Sequence, residues 1–98
     1  MDEKKLKIHK AICYDLPCTY EKKNNDYGDS FARVRKEEGH TAILVRLKDK
    51  IYRLETILHG AEIKVKDETI EETLLDMANY CIMELVERAV EKGVSDGE

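Results

Sequence analysis

Apolar positions recur along this chain mostly in steps of three and four, the interval that lines one face of a helix, and not in the alternation of a strand. Between residues 3 and 23, Leu6, Ile8, Ala11, Ile12, Leu16 and Tyr20 mostly keep that spacing, and Cys13 and Tyr14 widen the stripe. A first helix is predicted there. Pro17 lies inside it. Proline has no N–H to donate and disfavours helical geometry in the residue before it, so a bend or a restart is expected at residues 16 and 17. Residues 24–30, Asn-Asn-Asp-Tyr-Gly-Asp-Ser, gather side chains that bond their own backbone or tolerate positive φ, and read as a tight polar loop. A short helix over 31–38 follows, with Gly39 placed to end it in a left-handed cap.

Leu44, Leu47, Ile51, Leu54 and Leu58 alternate in steps of three and four, the seam of a helix packed lengthwise against others. This second principal helix spans 41–58 and closes at Gly60. A connection follows, with a few extended residues expected at Ile63, Lys64 and Val65. Thr69 and Glu72 fit a capping box, in which hydroxyl and carboxylate satisfy each other's backbone N–H groups. The third helix, over 69–92, runs through Leu74, Leu75, Met77, Ala78, Cys81, Ile82, Leu85, Val86 and Ala89 and stops at Gly93, with a frayed tail beyond. The pattern predicts an all-α fold: a small helical bundle with three principal helices, about 3–23, 41–58 and 69–92, and a short helix near 31–38.

A chain of 98 residues encloses one core, so a single helical domain over 1–98, ordered over about 3–93, is expected. One proline, five glycines and no tryptophan are too little punctuation for a sandwich or barrel. A formal net charge of -4 argues against nonspecific binding to nucleic acid or to an anionic membrane. No apolar run approaches the roughly 18 residues of a bilayer span, and the first ten residues lack the apolar core of a signal peptide, so a cytoplasmic protein is expected. Cys13, Cys18 and Cys81 are odd in number and lie in apolar surroundings, which predicts buried, reduced thiols. His9, His40 and His59 are read as surface or helix-end residues without a Cys or His at ligand spacing.

Asp76 is the anomaly of the third helix, a carboxylate in an otherwise apolar run. With Glu72, Asn79 and Tyr80 it forms one polar track at spacings of four, three and four, which is expected to face a cleft. On the second helix Arg46, Asp49, Lys50 and Arg53 follow the same spacings and could neutralise phosphates. A buried carboxylate is costly unless paired or bound to metal, and Mg²⁺ favours a few carboxylates together with substrate phosphate oxygens. Asp49, Glu72 and Asp76 suit that role. The same residues also fit structural ion pairs, Arg46 and Arg53 against Asp76 and Asp49, with Glu72 as a cap. Lys23, Asp26 and Asp29 of the polar loop are candidates for ligand binding beside their turn chemistry. Tyr27 and Phe31 read as packing residues or as base-stacking ones.

Three blocks in one order carry a resemblance. They are Glu21-Lys22-Lys23-Asn24-Asn25-Asp26-Tyr27-Gly28-Asp29-Ser30-Phe31, then Val45-Arg46-Leu47-Lys48-Asp49-Lys50-Ile51-Tyr52-Arg53-Leu54, then Asp67-Glu68-Thr69-Ile70 leading to Thr73-Leu74-Leu75-Asp76-Met77-Ala78-Asn79-Tyr80. Together, over about residues 10–90, they resemble the nucleotide-modification-associated domain family, first type. Its typical members are small phage and prophage proteins, which implies the host cytoplasm. A more distant likeness is to the MazG-like all-α nucleotide pyrophosphohydrolases. It implies Mg²⁺, with Mn²⁺ as a substitute, held between acidic helices, and cleavage of a nucleoside triphosphate to a monophosphate. Asp76 takes the aspartate position of those enzymes' third helix. Thr73 stands where they carry a glutamate three residues earlier, and Asp49 lies among Arg46, Lys50 and Arg53 where they carry a glutamate cluster.

Three functions follow as expectations. The first is a metal-dependent pyrophosphohydrolase, with Asp49, Glu72 and Asp76 positioning Mg²⁺ and water, Lys23, Arg46, Lys50 and Arg53 holding phosphates, and Tyr27, Asn79 and Tyr80 contacting sugar or base. The second is a noncatalytic binder that sequesters a signalling nucleotide, favoured by the basic face and the missing glutamates. The third is an inhibitor that binds a host protein. Long apolar stripes on so short a chain also predict a homodimer or larger assembly.

Overall fold

The computed structural model describes residues 2–27, 29–60, 62 and 69–93, and the side chains of all of these except residues 24–27. The elements are α1 (Glu3–Tyr27), α2 (Ser30–Glu38), a single 3-10 turn (Gly39–Thr41), α3 (Ala42–Leu58) and α4 (Ile70–Glu91). No strand occurs among the described residues, and the all-α expectation holds. The extended residues expected at 63–65 lie outside the described residues. The chain falls into two compact units, Met1–Ser30 and Phe31–Glu98, each described by itself. No described helix is long and apolar enough to cross a membrane.

In the first unit, α1 is capped by Asp2, whose Oδ1 accepts from the backbone N–H of Lys4 at 2.8 Å and of Lys5 at 3.4 Å. The helix runs through Pro17 as one element, so the restart expected at residues 16 and 17 is not found. Proline removes one backbone hydrogen bond, and well over a turn of helix on each side propagates cooperatively past that loss. The helix also continues to Tyr27, four residues beyond its predicted end. The loop expected over 24–30 is therefore shorter. Asp29 takes φ 56°, a left-handed conformation that aspartate tolerates better than most residues, and Ser30 already begins α2.

The three cysteines are free thiols but exposed, not buried as their apolar neighbours suggested. Helical geometry turns Cys18 away from buried Leu16, and Cys13, although three residues before Leu16 on the same side, is exposed, so sequence proximity to apolar residues does not decide what a neighbour covers. Cys13 also corrects the reading of the histidines: its Sγ lies 3.7 Å from His9 Nδ1, one turn back along α1.

In the second unit α3 and α4 make the principal helix contact. Thr69 caps α4 from an extended conformation, its hydroxyl accepting from Glu72 N–H at 3.1 Å. Gly60 and Gly93 end α3 and α4 at φ 95° and 78°. Their N–H groups return to the carbonyls of Ile57 and Val90, satisfying acceptors the helix itself leaves open. Gly39, at φ 81°, ends α2 as expected.

Among the described residues, the side chains this unit buries are mostly polar. Beside Phe31 and Ala42 they are Arg35, Thr73, Asn79 and Glu84. Thr73, at 2 % exposure, is the most enclosed of these, and its hydroxyl donates to the Thr69 carbonyl at 2.8 Å, so its polar group is satisfied locally. The leucine seam of α3 is only partly covered. Leu47 and Leu54 are half-buried, whereas Leu44, Ile51 and Leu58 are exposed.

Candidate functional site

The half-buried face of α3 carries three of the helix's four cations. Arg46, Lys50 and Arg53, spaced at four and three, fall on one side of the helix and are half-buried. Lys50 crosses to α4, its Nζ 3.1 Å from Asp76 Oδ2. Asp76 is half-buried in turn. Of the polar track expected to face a cleft, Asp76 thus meets the basic row of α3 through Lys50. Farther along the track Asn79 is buried, and Tyr80 packs against Phe31 of α2 with ring centroids 5.9 Å apart, tilted at 47°. Asp49 and Glu72 lie on the exposed sides of their helices.

Asp49, Glu72 and Asp76 are not brought together as a metal-binding set. Among the described residues, no three His, Cys, Asp or Glu side chains gather where they could hold one ion. Asp76, the central member, already has an ammonium against its carboxylate, and a divalent cation there would meet the charge of Lys50. Three carboxylates around one ion are not what Arg46, Lys50, Arg53 and Asp76 present. These four fit a row of cations on a helix face, partly offset by one carboxylate. Of the remaining candidates, Lys23 is exposed and Asp29 half-buried, both in the first unit, while the side chains of Asp26 and Tyr27 lie outside the described residues.

Sequence reasoning missed a second cluster. Arg35 of α2 is buried with its guanidinium on α4: Nε donates to Glu84 Oε1 at 2.8 Å, Nη2 to Glu84 Oε2 at 3.1 Å, and Nη1 to Glu91 Oε1. Arg88 donates to the same Glu84 carboxylate at 2.6 Å from one turn away. The Arg35 hydrogen bonds hold both Glu84 and Glu91 below the usual carboxylate range, against the opposing effect of burial. The same bonds raise Arg35 further. A hollow of about 440 Å³ opens beside this cluster, lined by Arg35, Lys36, His40, Glu87 and Glu91 together with Ala32 and Gly39. The available signal was Glu84, Arg88 and Glu91 recurring at four and three on α4.

A chain whose described elements are all helical, and whose ion pairs Arg35–Glu84 and Lys50–Asp76 set basic residues of α2 and α3 against acidic residues of α4, defines a class: a small helical protein with a charge-matched interior face. Its family follows from comparison. A family model described as nucleotide modification associated domain 1 matches residues 23–87, and the chain belongs to that family. The match holds Arg46, Lys50, Arg53, Asp76, Asn79 and Tyr80, and also Arg35 and Glu84. No curated protein and no solved structure matches the chain.

Proposed function

We propose that this protein binds a nucleotide noncatalytically, with Arg46, Lys50 and Arg53 of α3 holding its phosphates. The observation that supports this reading is the half-buried row of three cations on one face, with Asp76 against the middle one. Half-burial strengthens attraction to a phosphate relative to open solvent, and arginine presents the forked donors that phosphate oxygens accept. In this reading Asp76 is a placeholder. It keeps Lys50 extended and paired until a phosphate takes over part of the ammonium, and it sets the charge the site tolerates. Tyr80, braced by Phe31, and the neighbouring Asn79 offer a ring and an amide to the base or sugar. Membership of a nucleotide-modification-associated family agrees with a nucleotide as the ligand.

Titration calorimetry of the full chain with nucleoside mono-, di- and triphosphates, with Mg²⁺ and with chelator, tests the reading. Binding should survive the chelator and return the ligand intact. Lys50→Ala should weaken it by about tenfold, the loss of one charge-assisted contact. Absence of binding by every nucleotide, or full affinity in Lys50→Ala, would overturn it. Pyrophosphate release in Mg²⁺ would replace it with the hydrolase.

A further inference from the structure

Leu75, Ala78, Ile82, Leu85 and Ala89 of α4 repeat in steps of three and four, and Leu74, Cys81 and Val86 widen that stripe. The stripe lies on the side of the helix opposite Asp76, Tyr80 and Glu84. Most of it faces water: Leu85 is 65 %, Leu74 50 % and Ile82 44 % exposed, Ala78, Cys81 and Val86 are exposed as well, and Leu75 and Ala89 at its edge are half-buried. Exposed apolar side chains gathered on one helix face, not scattered singly, mark an interaction surface.

Its charges say what covers it. The stripe opens at Glu71 and closes at Arg88 and Lys92. Residues 71, 78, 85 and 92 differ by seven, so Glu71 and Lys92 stand on one line with Ala78 and Leu85. No charged residue interrupts that line between them. Two copies laid parallel would set Glu71 on Glu71 and Lys92 on Lys92. Laid antiparallel, they set each Glu71 beside the other copy's Lys92 and oppose the helix dipoles.

We propose that the outer stripe of α4 is covered by the same stripe of a second copy of this chain, with the two helices antiparallel, Ile82 next to the two-fold axis and Glu71 of each copy against Lys92 of the other. The contact is self-complementary and closes on itself, as a two-fold dimer requires. It leaves the α3-facing side of α4, with Lys50 and Asp76, outside the interface. Association is therefore independent of the nucleotide reading, and either can fail without the other.

Sedimentation equilibrium of the full chain, with circular dichroism of each variant, reads the outcome. Wild type should be dimeric at about 100 μM, and Ile82→Asp and Leu85→Asp should be monomeric with unchanged helix content. Glu71→Lys should weaken the dimer by about fivefold, and Glu71→Lys combined with Lys92→Glu should restore it. The charge exchange alters exposed ends of the helix and leaves the apolar stripe intact, so it remains informative if an aspartate variant unfolds. A wild-type monomer, or a dimer indifferent to both aspartate variants, would overturn the surface. Equal weakening by the single and double exchange would overturn the antiparallel order.

Discussion

Arg35 and Glu84 stand 49 positions apart in the chain and share a two-pronged hydrogen bond, with Glu91 taking a further guanidinium N–H. The energetic consequence is a dependence on acid. Both glutamates are held below their ordinary range by Arg35, so they bind fewer protons in the folded chain than in the unfolded one. Their contribution is complete above the unfolded value of roughly 4.3 and disappears as pH falls through the lower folded values. Melting temperature should accordingly stay level from neutral pH to about pH 5 and fall below about pH 4, more steeply in wild type than in Arg35→Gln. Equal acid slopes in the two proteins would show that the pairing contributes nothing. Arg35 itself titrates far above this window and adds no slope there.

At the scale of the element, starts and stops were the most legible part of the sequence. Thr69, Gly39, Gly60 and Gly93 occupy the capping positions their chemistry suggested, because a cap is decided within a few residues of backbone. Thr69→Ala should therefore destabilise the protein by about 1 kcal/mol in urea unfolding, with Thr69→Asp close to wild type. The start of α1 carried the same kind of signal in Asp2, and the end of α1 misled: Asn24, Asn25 and Asp26 favour turns, yet the helix runs through them to Tyr27. Intrinsic preference at those positions differs from that of good helix formers by less than about 1 kcal/mol per residue, which an established helix overrides.

For the whole molecule, spacing revealed the faces of α3 and α4 but not which face a neighbour covers. Both helices have a polar and an apolar side, and the rule that apolar sides turn inward pointed to the leucine seam. In the second unit the charged sides meet, through Lys50 and Asp76 and through Arg35 and Glu84, and much of the apolar surface stays outside. The candidate site was legible to the extent that it is built from one-turn spacings: the row Arg46, Lys50, Arg53 and the track through Asp76. Arg35 was not, since in its own helix it is one of three basic residues and only the fold singles it out. If α4 pairs with itself, the inverted distribution is resolved in the dimer, where the outer stripes become the core.

The nine residues of α2 have a further consequence. A segment so short, standing alone in water, spends most of its time as coil. Its anchors are Phe31 on Tyr80 and Arg35 on Glu84 and Glu91, which reach α4 from its middle to its C-terminal end. Backbone amides of α2 and of the last three turns of α4 should then exchange with deuterium at one shared rate, as a single cooperative block, and Arg35→Gln should release α2 to fast exchange while α4 keeps its protection. Two unrelated rates in the wild-type chain would mean that those anchors do not tie the segments together.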